Sequence, residues 1–119
     1  MQSYKDLAAY QKAYDLALRV YQATKNYPRE EIYGLVSQMR RSAVSLPCNI
    51  AEGYRRRSRK EHLQFLHIAL GSCSELETVL ALSRDLRFIE DSEAKDLYSL
   101  QEEVSRLLYG LIASLTRKP

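Results

Sequence analysis

Tryptophan is absent from this 119-residue chain, phenylalanine, cysteine and histidine occur twice each, proline three times and glycine four times. Each scarcity excludes something. So little glycine and proline leaves few turns, which disfavours the many short strands of a sandwich or barrel and favours a few long elements. Two cysteines without a Cys-x-x-Cys pair make no disulfide framework. They would need histidines to hold zinc, and His62 and His67 stand about 140° apart around a helix. Cys73 falls at a core spacing and is expected to be a small hydrophobe. The stretch Met1-Gln2-Ser3-Tyr4-Lys5-Asp6 has no apolar core of a signal peptide, and no run is expected to approach a membrane span. These features predict a cytoplasmic protein with reduced thiols and with no metal, cofactor or small-molecule substrate.

What is present is ordinary globular material: 45% hydrophobic and 28% charged residues. The length suits one domain, residues 1–119, able to bury roughly two-thirds of its unfolded surface. Net charge is +3, but Arg55 to Lys60 carries five positive charges and no negative one, leaving the other residues at −2. A local basic knot can meet phosphates without making the whole surface adhesive.

Four stretches have helical periodicity. Leu7, Tyr10, Tyr14, Ala17, Tyr21 and Thr24 recur at steps of three and four, with Ser3 and Asp6 as capping oxygens and Asn26-Tyr27-Pro28 as the stop. A second helix is predicted from about Glu30 to Gly53, with Ile32, Val36, Met39, Ala43, Leu46 and Ile50 as its seam. Pro47 should bend it and Gly53 end it. Ser58-Arg59-Lys60-Glu61 fits a capping box and opens the third helix. That helix carries two largely apolar stripes: Leu63, Leu66, Leu70, Cys73, Glu77 and Leu80, and Phe65, Ala69, Ser72, Leu76, Val79 and Leu86. So broad a surface belongs either to the most central helix or to a contact with another subunit. Asp91 or Ser92 is expected to cap the fourth helix, in which Leu97, Leu100, Val104, Leu107, Leu111 and Leu115 repeat, and Arg117-Lys118 suits its carboxyl end. Long helices on short connections give an all-α, antiparallel up-down-up-down four-helix bundle.

The densest segment runs from Ser45 to Ser58. Arg55, Arg56, Arg57, Arg59 and Lys60, with Arg40 and Arg41, are the candidate contacts to RNA or DNA phosphates. Guanidinium forks match phosphate, helix-start amides add donors, and Tyr54 offers a stacking ring. Pro47, Asn49, Glu52 and Gly53 read as a structural motif. Glu52 is expected to pair with an arginine such as Arg40 or Arg56, and Asn49 to satisfy backbone near the proline. No catalytic residue is expected, because no second acid or histidine converges on Glu52. One pattern favours an enzyme: Arg57-x-x-x-x-His62 fits the Arg-x(4–6)-His arrangement of the all-helical HEPN-type ribonucleases, although an arginine-rich stretch meets it easily. Tyr10, Tyr14 and Tyr21 suit either a core rim or a subunit interface. In a cyclic homo-oligomer the knot would be repeated around a ring.

The run Gln38-Met39-Arg40-Arg41-Ser42-Ala43-Val44-Ser45-Leu46-Pro47-Cys48-Asn49-Ile50-Ala51-Glu52-Gly53, followed by Arg56, Ser58 and Glu61, resembles a bacterial four-helix-bundle family. Its founding members are encoded within intervening sequences of large-subunit (23S) ribosomal RNA genes. Phe65 through Thr78, and Asp6-Leu7 with Gln11-Lys12-Ala13-Tyr14, resemble it too. The resemblance implies a left-handed four-helix bundle, a ring-shaped homo-oligomer that is typically a pentamer, and suspected nucleic-acid binding. It carries over no catalytic residue. Arg55 replaces a frequent glycine and Cys48 a frequent serine, the first making this turn more basic. An adaptor whose partner is another protein is the alternative to nucleic-acid binding.

Overall fold

Capping, breaking and burial divide the chain into four long helices. The computed structural model describes residues 3–117. Ser3 Oγ accepts from the Lys5 amide and Asp6 reaches back to the Ser3 amide, so these residues cap a short 3-10 turn, Tyr4–Asp6, ahead of the first helix. Helix α1 (Ala8–Thr24) follows from an extended Leu7 with no side-chain cap of its own. A 3-10 turn (Arg29–Glu31) and a π-helical turn (Ile32–Val36) then lead into α2 (Ser37–Tyr54). Helices α3 (Arg59–Asp85) and α4 (Asp91–Thr116) complete the fold. No strand occurs among the described residues.

Helix contacts join α1 to α2, α2 to α3, α3 to α4 and α4 back to α1. Sequence neighbours are therefore spatial neighbours, the arrangement of an antiparallel up-down-up-down four-helix bundle. The molecule measures 49 × 23 × 23 Å. Its axis is filled by residues such as Leu16, Met39, Leu46, Ile50, Leu66 and Leu76, all at most 1% exposed. Gln101 stitches α4 to α3 by donating to the Cys73 carbonyl at 3.1 Å.

Several boundaries differ from expectation. The second helix does not run smoothly from Glu30. Gly34 adopts φ −110°, ψ −112°, outside helical space, and a Cβ there would lie 2.8 Å from Glu31 Oε1, which accepts from the Leu35 amide. This break changes the phase of the turn, so Ile32 is 48% exposed while Val36 to Ile50 keep the predicted seam. Gly53 stands one residue before the end of α2 at Tyr54, close to the expected stop. Its role is close approach: a Cβ would meet His62 Cδ2 and Phe65 Cβ at 3.0 Å. Pro47 is buried within an uninterrupted α2. Helix α4 is capped by neither Asp91 nor Ser92. Its N-cap is Glu90, and Asp91 and Glu93 serve the positive end of the dipole from the first turn. Its buried seam passes from Val104 to Leu108, both 0% exposed, rather than to Leu107, which is only partly buried. Arg117 is the C-cap, and Lys118 lies outside the described residues.

Helix α1 departs furthest. Its buried row is Ala9, Ala13, Leu16, Val20 and Ala23, whereas Tyr14 and Tyr21 are 51% and 42% exposed. The tyrosine row is one step around from the core. Both stripes of α3 are instead largely buried within the chain. Ser72 Oγ lies 2.7 Å from Ser45 Oγ of α2, and Cys73 touches Gln101 of α4. By length and composition α3 suffices to cross a membrane, against the expectation that no run would. Its buried apolar positions face its neighbours in the bundle. The α3–α4 link closes with Arg87 at φ 65°: its amide bonds the Arg84 carbonyl and the Phe88 amide the Ser83 carbonyl. That is a Schellman ending with arginine where glycine is usual.

Candidate nucleic-acid interface

The α2–α3 turn is four residues long, Arg55 to Ser58, and local sequence explains its shape. Arg55 and Arg56 amides close α2 on the Glu52 and Gly53 carbonyls at 3.2 and 3.1 Å. Ser58, in an extended conformation, then starts α3 by accepting from the Glu61 amide at 3.1 Å. Arg55, Arg56 and Arg57 on this turn and Arg59 and Lys60 at the start of α3 are all exposed. Two of them rest on aromatic rings. The Arg55 guanidinium sits 5.2 Å from the Tyr4 ring centroid and that of Arg56 4.9 Å from Phe65. Such contacts contribute about 0.5–1 kcal/mol at exposed sites and, more usefully here, restrict where the charge points.

Glu52 pairs with Arg56, one of the two partners expected for it, and is half exposed. Asn49 Nδ2 donates to both the carbonyl and the hydroxyl of Ser45 at 2.8 Å, as expected of a residue serving backbone near Pro47. Through Ser45 this network reaches Ser72 on α3. Of the four motif residues, Asn49, through Ser45, and Gly53 meet α3, whereas Pro47 and Glu52 line the hollow between α1 and α2.

Arg40 and Arg41 are not brought to the turn. Fifteen residues separate Arg40 from Arg55, about 22 Å along α2. Arg40 is held at the α1–α2 seam: Nε donates to Thr24 Oγ1 at 2.8 Å, and the guanidinium covers the Tyr21 ring at 4.5 Å. Arg41 is exposed nearby. Tyr54 is half-buried, with its ring edge-on to His62 at 6.5 Å, so it is not a free stacking platform.

His62 is half-buried. Its Nε2 is closed off from solvent and bonds no protein group, and burial lowers its pKa from the ordinary 6.5. Arg57 is exposed on the turn while that nitrogen is enclosed at the α2–α3 contact, so the two do not present a shared surface to a phosphodiester. No cluster of three metal-ligating side chains occurs among the described residues. Cys48 is exposed and Cys73 buried in the core, where desolvation pushes its thiol up to about 11.

Sequence reasoning missed Tyr4 and Phe65 as supports for the arginines. They lie 51 and 9 residues from them, and no spacing rule links them. It also missed that the tyrosine row of α1 lines a groove against α2.

The profile of the 23S rRNA-intervening sequence protein family matches residues 5–110. The fold is similar to the crystal structure of a protein of unknown function from the S23 ribosomal protein family of Bacteroides thetaiotaomicron. The TM-score is 0.84 at 26% identity, over 92% of this chain and 98% of that one. No curated protein matches the chain.

Proposed function

The chain belongs to the 23S rRNA-intervening sequence protein family, and on that premise we propose that it is a non-enzymatic protein that binds RNA through the α2–α3 turn. The observation that carries this reading is the pinning of Arg55 and Arg56 over Tyr4 and Phe65 within a group of five exposed cations. Fixed guanidiniums lose less freedom on meeting a phosphate than free side chains do. Contacts of this kind are largely blind to base sequence and weaken with salt. A binding role also accords with Glu52 being held by Arg56 and with the enclosed Nε2 of His62.

We propose further that the protein acts as a homo-oligomer, the resemblance implying a pentameric ring. Exposed Ile68 and Leu82 on α3, Leu86 at its C-cap and Tyr109 on α4 supply apolar surface for such contacts. Repetition of the turn around a ring would raise affinity by avidity.

The test is fluorescence anisotropy with a short structured RNA across a salt series. Changing Arg55, Arg57 and Lys60 together to Ala should weaken binding and reduce the slope of log affinity against log salt by roughly 3. Unaltered binding by this variant, with its helicity intact, would remove the turn as the site. Light scattering then gives the number of copies.

A further inference from the structure

Helices α1 and α2 enclose an open groove on the outside of the bundle. Two hollows of about 620 and 830 Å³ lie end to end along it and share Tyr21 and Val44. Six of the nine tyrosines line it: Tyr4, Tyr10, Tyr14, Tyr21, Tyr27 and Tyr33. Tyr33 is 97% exposed, held out by the π-helical turn beside Gly34. The same walls carry five cations, Lys25, Arg29, Arg40, Arg41 and Arg55. They carry one carboxylate, Glu52, which Arg56 already engages.

We propose that this groove is a track for an unpaired nucleic-acid strand, running from the basic turn at Arg55 toward Arg29 and Arg41. The inference deepens the phosphate-binding reading and rests on it. Charge selects the occupant. A cationic groove lined with aromatic rings is what binds single strands, because phosphates follow the cations and every base offers a face to stack. A duplex keeps its bases stacked inside and gains nothing from the rings. A second copy seated on this groove about a two-fold axis would bring the same five cations against their equals, which disfavours that pairing; a ring contact would set a different face opposite, and self-association of the alanine pair tests that case. Tyr14 and Tyr33, 51% and 97% exposed, are the rings open to stacking, whereas Tyr27 is buried with its hydroxyl on Met39 Sδ and Arg40 already covers Tyr21.

The chain contains its own reporters. With no tryptophan, its intrinsic emission comes from tyrosine and should be quenched by stacked bases. Cys48 is exposed on the groove wall, while Cys73 is buried, so a maleimide reports on Cys48 alone.

The experiment measures binding of a fluorescein-labelled oligouridylate of roughly twelve nucleotides and of an RNA duplex of equal length. The proteins are the full chain, Tyr14→Ala/Tyr33→Ala and Tyr14→Phe/Tyr33→Phe. The alanine pair should weaken single-strand binding about thirtyfold or more and leave the duplex unchanged. The phenylalanine pair should retain both, and oligouridylate should slow alkylation of Cys48. Single-strand binding that the alanine pair keeps, or loses together with duplex binding, overturns the groove. Duplex binding by the unaltered protein without single-strand binding overturns the groove and leaves the turn standing. Binding of neither RNA overturns both readings, and capture of polyglutamate instead would indicate an acidic protein partner. If the alanine pair loses self-association by light scattering while binding oligouridylate normally, the groove is a contact between copies and the proposal falls.

Discussion

Helices α1 and α3 each carry two apolar rows, and the bundle treats them differently. On α3 one row packs toward α2, where Phe65 meets Gly53 and Ser72 meets Ser45, and the other toward α4, where Cys73 meets Gln101. On α1 the alanine-rich row enters the core while the tyrosine row faces Val44, Cys48 and Ala51 across a hollow. Both helices have two neighbours. The difference lies in what the neighbour sets opposite and how near it comes. Glycine and serine draw α2 onto α3 at van der Waals distance, whereas small side chains on the other flank of α2 leave tyrosine rings standing beside empty space. An apolar row therefore becomes core or groove according to its partner helix, not according to its own composition.

Mutations at the two rows should separate them. Leu76→Ala, on α3, removes a side chain that is 1% exposed and should cost about 2–5 kcal/mol in urea unfolding. Tyr14→Ala, on the α1 row, should change stability by less than about 0.5 kcal/mol, as an exposed position does. Equal losses at the two sites would end the distinction. Gly53→Ala probes the close approach directly. The added methyl meets His62 and Phe65 at 3.0 Å and the His62 carbonyl at 3.2 Å, so a loss of about 1–3 kcal/mol is expected. Full stability in this variant would show that α2 and α3 can separate without penalty.

The smallest effect concerns pH at the same contact. His62 has a lowered pKa because burial disfavours its charged form. As pH falls through 6.5 the unfolded chain takes up the proton before the folded one. The stability associated with neutral His62 is therefore full above that pH and lost below it. Comparing urea midpoints of the unaltered protein and His62→Gln between neutral pH and about pH 5 should show a steeper decline in the unaltered protein. Parallel declines would mean that His62 is solvated like any surface histidine.

Much of this was readable in advance. The four helices, the seam Val36 to Ile50, Ser58 as the cap of α3, buried Cys73 and the Glu52–Arg56 pair follow from periodicity or from spacings of three and four residues. The basic turn is visible as a run of charges. Gly34 and Gly53 were harder, because a glycine in sequence does not reveal whether it relieves backbone strain, ends a helix or admits another helix. Arg40 and Arg41 looked adjacent to the turn in sequence terms, yet one helix length keeps them at the far end of the groove.

By itself the sequence determined the number of long helices, the Ser58 cap of α3 and the position of the cationic turn, since these depend on interactions between residues a few positions apart. Only the tertiary structure decided which of its two rows α1 buries, which ring supports which arginine, and that a tyrosine-lined groove exists. Helical periodicity sets the angles at which side chains leave an axis. What stands opposite them, and at what distance, depends on the size of side chains on another helix, and that information is distributed across the whole chain.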